Sequence, residues 1–105
     1  MNFQEYQDFV NETATYPNRG TSTYPAFGLV DEVGELFGKF KRRLRGDNPQ
    51  PTDEDILKEL GDILWYLTEC AHCSGFSLQD VAEANIKKLR DRHARGVQFG
   101  TGDNR

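Results

Sequence analysis

The chain has 105 residues, 36% of them hydrophobic, and a formal net charge of −4. That length allows one domain and no second core, and the acidic balance excludes a nucleic-acid backbone binder, which presents a basic excess. No apolar run is long enough to span a bilayer, and Met1-Asn2-Phe3-Gln4-Glu5 lacks the basic start and apolar stretch of a signal peptide, so no membrane partner is expected.

In chain order, the spacing of Phe3, Tyr6, Phe9, Val10 and Thr13 predicts a first helix from about Phe3 to Thr13. The segment Tyr16 to Pro25 follows. Its prolines, glycine and hydroxyls break helical periodicity, and a loop of this length in so small a domain is more often functional than idle. A second helix is predicted from about Ala26 to Arg45. Val30, Val33, Phe37, Phe40 and Leu44 alternate in steps of three and four along it, an apolar seam. Lys41, Arg42, Arg43 and Arg45 crowd its end, where positive charge complements the helix dipole.

Thr52 with Asp55 forms a capping-box pair that starts a third helix, reaching about Ser74 and stopped by Gly75. Its seam is Ile56, Leu60, Ile63, Leu67 and Cys70, widened by Leu57, Leu64 and Ala71. Cys70 and Cys73 lie inside this pattern and do not form a disulfide scaffold, which favours a reducing cytoplasm. Ser77 with Asp80 opens a fourth helix that carries Val81, Ala84, Ile86 and Leu89 to about Arg95. Gly96 to Arg105 holds three glycines and reads as an exposed tail. The expected architecture is therefore all-α: one domain, 1–105, with a helical body over 1–95 and a glycine-rich tail over 96–105. The lean apolar content predicts a core completed by a second copy, as a dimer-type four-helix bundle. A homodimer or homotetramer follows.

Two acidic pairs carry the chemistry. Asp31-Glu32-Val33-Gly34-Glu35 lies on the second helix and Glu59-Leu60-Gly61-Asp62 on the third. Within each pair the carboxylates are three residues apart, on neighbouring positions of one face, where like charges repel by a few tenths of a kcal/mol. Glu32 and Glu35 bracket the apolar Val33, and Glu59 and Asp62 bracket Leu60. If the two seams pack as an antiparallel hairpin, four carboxylates meet at the seam's edge, where they must protonate or hold a cation. Their hard oxygens select magnesium, with manganese as the other fit, and magnesium prefers to share substrate phosphates. Glu-x-x-Glu alone is common on solvated helix faces, so it is the combination of two pairs that points to a metal. Gly34 and Gly61 each sit inside an acidic pair, although glycine costs about 1 kcal/mol in a helix. The expected reason is close approach of another helix or a ligand.

At these residues the sequence resembles the MazG-like nucleotide pyrophosphohydrolases of the all-α NTP pyrophosphohydrolase superfamily. That pattern is Glu-Glu-x-x-Glu followed by Glu-x-x-Asp, with Asp31 standing here at the first acid. The similarity runs through Ile63-Leu64-Trp65-Tyr66 to Asn85-Ile86-Lys87-Lys88-Leu89 and Arg92. In its Thr13 to Pro17 segment and its tail, the chain is similar to the compact phage-type members. The resemblance implies metal-dependent hydrolysis of a nucleoside triphosphate to the monophosphate and pyrophosphate, with a purine deoxynucleotide such as dGTP the first expectation. It implies Glu32, Glu35, Glu59 and Asp62 as magnesium ligands, and Tyr66, Asn85 and Lys88 as nucleotide contacts. One of the four carboxylates, Glu35 the first candidate, is expected to act as general base, and Glu59→Gln is expected to abolish turnover. Lys88, Arg92 and Lys39 would offset charge on the leaving pyrophosphate. For Lys39 an ordinary Glu35–Lys39 helix pair is favoured.

Trp65 and Tyr66, adjacent on a helix, are expected to face different ways, with Tyr66 at the site and Trp65 in an interface or against a base. Glu69-Cys70-Ala71-His72-Cys73 contains only one Glu-x-x-His and three close nitrogen or sulfur ligands, too few for a di-iron or a closed zinc site. Alternatives in the same superfamily are a dUTPase-like enzyme and a phosphoribosyl-ATP pyrophosphohydrolase. The non-enzymatic alternative is a helical interaction module with solvated acidic faces.

Overall fold

The computed structural model describes residues 1–21 and 23–105. Four helices follow one another: α1 (Phe3–Thr13), α2 (Thr23–Arg45), α3 (Asp53–Cys73) and α4 (Leu78–Ala94), with no strand among the described residues. Each boundary has a local cause. The Asn2 side chain accepts from the Glu5 amide and caps α1. Both expected capping boxes form, Thr52 with Asp55 and Ser77 with Asp80. Gly46, Gly75 and Gly96 end α2, α3 and α4 with positive φ of 78°, 84° and 71°. The second helix begins three residues before the expected Ala26. Pro25 falls in its first turn, where a missing N–H breaks no hydrogen bond, so this proline starts the helix rather than preventing it.

Helices α2 and α3 form the dominant pair. Arg43 meets Asp53, Lys39 meets Glu59, and Gly28 meets Tyr66. Numbers fall along one helix as they rise along the other, so the hairpin is antiparallel. Helix α1 packs on α3 and α4, and α4 on α1 and α3, whereas α2 and α4 do not touch. The apolar core is small: Val10, Ala14, Leu36, Ala71 and Leu78.

Here the expected seams are corrected. Val33 and Phe40 are half-buried, but Val30, Phe37 and Leu44 stay exposed, at 71%, 61% and 91%. On α3 the outward residues are Leu57, Leu60 and Leu67. Only one side of each seam is covered within a single chain.

The two irregular segments are tied down. The loop before α2 turns through Asn18 (φ 58°) and Gly20 (φ 109°) and is fastened to α3 through Glu69. The tail, expected to be exposed, has mostly exposed residues but folds back onto α4. Arg92 donates to the carbonyls of Gly102 and Asp103, and Arg105 to those of Val97, Gln98 and Gly102.

Candidate active site

The antiparallel hairpin puts Glu32 of α2 opposite Glu59 and Asp62 of α3, with one oxygen from each within 4.8 Å of the others. Glu32 also belongs to a second such group, with Asp31 and Glu35. Glu59 is buried and Glu32 half-buried. One oxygen of each, Glu32 Oε2 and Glu59 Oε2, is buried with no hydrogen-bond partner. A carboxylate oxygen so placed is costly unless something positive or a proton meets it.

The protonation pattern agrees. Burial, then closeness to Glu59, Glu35 and Asp62, pushes Glu32 up to about 7. Burial acts the same way on Glu59, but the Lys39 ammonium, 3.2 Å from Glu59 Oε1, outweighs it and holds Glu59 below its ordinary value. A divalent cation would take the place of a proton on Glu32 and satisfy both orphaned oxygens. The donor set is all carboxylate oxygen and fits such an ion. Lys39 therefore reaches across to α3, and the expected Glu35–Lys39 pair does not form. An adjoining groove of about 600 Å³ along α2 is lined by Asp31, Glu35, Lys39 and Arg42, among others.

One helical turn along α3 the acids give way to aromatic rings. Glu32, Asp62, Trp65 and Tyr66 line a cavity of about 300 Å³. Trp65 and Tyr66 thus share one cavity, their ring centres 5.0 Å apart and nearly perpendicular. This corrects the expectation that they face different ways. Large rings reach sideways far enough that adjacent helical positions can meet. Behind them Tyr16 stacks on Tyr24 at 4.5 Å and meets Trp65 edge-on at 6.4 Å. Trp65 Nε1 donates to Thr13 Oγ1 at 2.8 Å. Burial, then the Tyr24 hydroxyl and the charge of Glu32, pushes Tyr66 up to about 12, so it stays a hydrogen-bond donor at neutral pH.

Glu69, wholly buried on α3, holds this wall in place. It accepts from the Tyr16 hydroxyl and from Arg19, at 3.1 Å from Nε and 2.7 Å from Nη2. Burial alone would raise its carboxyl, but the bonds from Arg19 and Tyr16 keep it below the usual value.

The helix-four residues lie apart from the acids. Asn85 and Lys88 are exposed and line a separate, mainly apolar groove of about 780 Å³ with Phe76 and Val81. Lys88 pairs with Asp103 at 3.5 Å, and Arg92, 4% exposed, is occupied by the tail. Within one chain the structure brings Glu32, Glu35, Glu59, Asp62, Lys39 and Tyr66 together, and leaves Asn85, Lys88 and Arg92 elsewhere. Gly34 and Gly61 face open space, so no helix of the same chain takes up the room they leave. One residue at the site, Gly28, is not singled out by the sequence; its only signal is the anomaly of a glycine in a helix. No metal cluster among the described residues includes Cys70, His72 or Cys73, and both thiols are free.

Residues 21–97 match the family described as the MazG nucleotide pyrophosphohydrolase domain. The chain is 38% identical over 114 aligned positions to the Gene 37 protein of Mycobacterium phage L5, with all of both chains covered. It is 28% identical over 89 positions to the uncharacterized protein YvdC of Bacillus subtilis (strain 168), covering 73% of this chain and 84% of YvdC. No solved structure gives a significant match.

Proposed function

The chain belongs to the MazG nucleotide pyrophosphohydrolase family, and from that premise we propose that it hydrolyses a deoxynucleoside triphosphate, a purine such as dGTP first, to the monophosphate and pyrophosphate. The observation that carries this reading is the pair of buried, partnerless oxygens on Glu32 and Glu59 beside Asp62. Magnesium, or manganese in its place, would be held by Glu32, Glu35, Glu59 and Asp62, and supplies charge neutralisation and a water of lowered pKa.

The chain's own residues do the rest. Glu35, exposed to solvent at the rim of the cluster, takes the proton of the attacking water. The water oxygen bonds to the α-phosphorus, and the bond from it to the α–β bridging oxygen breaks. Lys39 and Arg42, in the adjoining groove, meet the charge that develops on pyrophosphate. Tyr66 faces the nucleoside.

Asn85, Lys88 and Arg92 sit on a helix that does not touch α2. Asn85 and Lys88 reach the nucleotide from a second copy, in a homodimer or homotetramer. Arg92 acts through the tail it holds. Two free thiols suit a reducing cytoplasm, and among the described residues no helix is long and apolar enough to cross a membrane.

The test is product analysis of a panel of NTPs, dNTPs, dUTP and phosphoribosyl-ATP, with and without magnesium or manganese. The expected result is monophosphate plus pyrophosphate, only with metal, and fastest for a purine deoxynucleotide. Preference for dUTP or phosphoribosyl-ATP would move the assignment within the superfamily. Orthophosphate release would mean that another bond is cut. No turnover by a folded oligomer would leave the interaction module.

A further inference from the structure

Gly28 stands on α2 one turn before Glu32, and Tyr66 on α3 one turn after Asp62. In the antiparallel hairpin these four positions form a rectangle, with the two acids at one end and the glycine facing the tyrosine at the other. A Cβ built at Gly28 would fall inside the van der Waals envelope of three Tyr66 ring carbons, Cδ1, Cε1 and Cζ. The ring therefore lies against bare backbone. No other helical glycine is covered in this way: Gly34 and Gly61 face open space, and Gly38 meets only the tip of Arg42 at 3.6 Å. Gly28 also has no positive φ, so backbone freedom does not explain it. A glycine inside a helix costs about 1 kcal/mol relative to alanine, and here the missing side chain is used only as space.

A methyl group at this position would force the ring away from α2. Trp65 at 5.0 Å and Tyr24 at 6.3 Å between ring centres flank it, which leaves the cavity shared with Glu32 and Asp62 as the direction of escape. The aromatic end of that cavity lies about one helical turn, roughly 5 Å, from Glu32 and Asp62, the acids that would hold the metal and, through it, the phosphates. In a nucleotide, the group at that remove from the α-phosphate is the sugar.

We propose that Gly28 is a positioning residue: it seats Tyr66 against α2 and so keeps open the cavity that takes the sugar of the nucleotide. The inference rests on the hydrolase reading for the identity of the occupant, whereas the seating of the ring stands on geometry alone. It makes Gly28 part of substrate selection without contact with substrate.

The experiment compares Gly28→Ala, Tyr66→Ala and the double variant in the full-length protein. Trp65, the single tryptophan, reports the ring's position through its emission without any nucleotide present. Gly28→Ala is expected to shift that emission, to leave Mn²⁺ affinity unchanged, and to raise KM about tenfold or more with a smaller change in kcat. In the Tyr66→Ala background the same substitution should add nothing, because the clash is gone. Wild-type KM and emission in Gly28→Ala, or independent effects that multiply in the double variant, would overturn the proposal. If the single variant fails to fold, the double variant decides. A folded double variant that behaves like Tyr66→Ala supports the clash, and an unfolded one refutes it. Should the wild-type protein cleave no triphosphate, the hydrolase reading falls, and the emission shift with its loss in the Tyr66→Ala background still tests the seating.

Discussion

Two buried glutamates on α3, ten residues apart, have opposite fates. Glu69 has both oxygens met by Tyr16 and Arg19, whereas Glu59 has one met by Lys39 and the other by nothing. The first is a structural carboxylate and the second fits a ligand. Glu59→Gln is thus expected to lose metal-dependent turnover and keep full helical content, since the amide has the size and shape of the carboxylate and glutamine is as good a helix former. Circular dichroism beside the product assay checks both halves. Glu69→Ala is expected to lose about 3 kcal/mol, because it strands Arg19 and frees the loop. The folded-state pKa of Glu69 is depressed, so its contribution is present above the unfolded value, about 4.3, and is lost as pH falls towards the folded value. Urea unfolding of wild type and variant should therefore differ at pH 7 and converge in acid. A constant gap would reject the ion pair as its source. Of these roles, sequence displayed the Glu59 motif but not the task of Glu69, since a partner fifty residues away leaves no periodic trace. Gly28 was equally silent, because the need for it lies in the ring of Tyr66 on another helix.

At the level of elements, the helices were legible because their ends are written locally. Thr52 with Asp55, Ser77 with Asp80, and the glycines at 46, 75 and 96 are all short-range signals, and each boundary they imply is present. Pro25 was read as a breaker because its effect depends on whether it falls in the first turn or later. The tail was read as loose because glycine content reports freedom, not the partners that remove it. Its anchor is Arg92, whose Nη2 donates to Asp103 O at 2.8 Å and Gly102 O at 3.3 Å. Arg92→Ala is expected to cost about 2 kcal/mol, the worth of charged hydrogen bonds in a buried setting. Deleting 96–105 should have an effect of similar size that is not additive with Arg92→Ala. Additive losses in urea unfolding would show that the arginine and the tail stabilise the fold separately.

The single chain is more open than a compact domain of its length. A compact chain of this mass would expose about 6000 Å², whereas this one exposes 7539 Å². Its radius of gyration is 16.7 Å, against about 13 Å for a compact domain of this length. The excess surface has a pattern. Val30, Phe37 and Leu44 recur every seven residues on α2, and Leu60 and Leu67 do so on α3, all of them exposed. Val33 and Phe40, the alternate members of the α2 seam, are the half-buried ones. The seam read from sequence therefore merges two faces: one packs within the hairpin, and the other has the heptad spacing of a helix–helix interface. Periodicity alone cannot say which chain covers a residue. An excess of roughly 1500 Å² per chain exceeds the area one partner contributes to a standard interface and suits an obligate homodimer or a dimer of dimers. Phe37, at the middle of the free face and away from the carboxylates, is the position to test. Phe37→Glu would place an unpaired charge in that interface, so sedimentation should find wild-type oligomer and variant monomer at the same concentration. Activity should fall with assembly, because in the proposed reading Asn85 and Lys88 reach the nucleotide from a second copy. A monomeric wild type with full turnover would sink this account, since one chain would then have to bring α4 to a helix it does not touch.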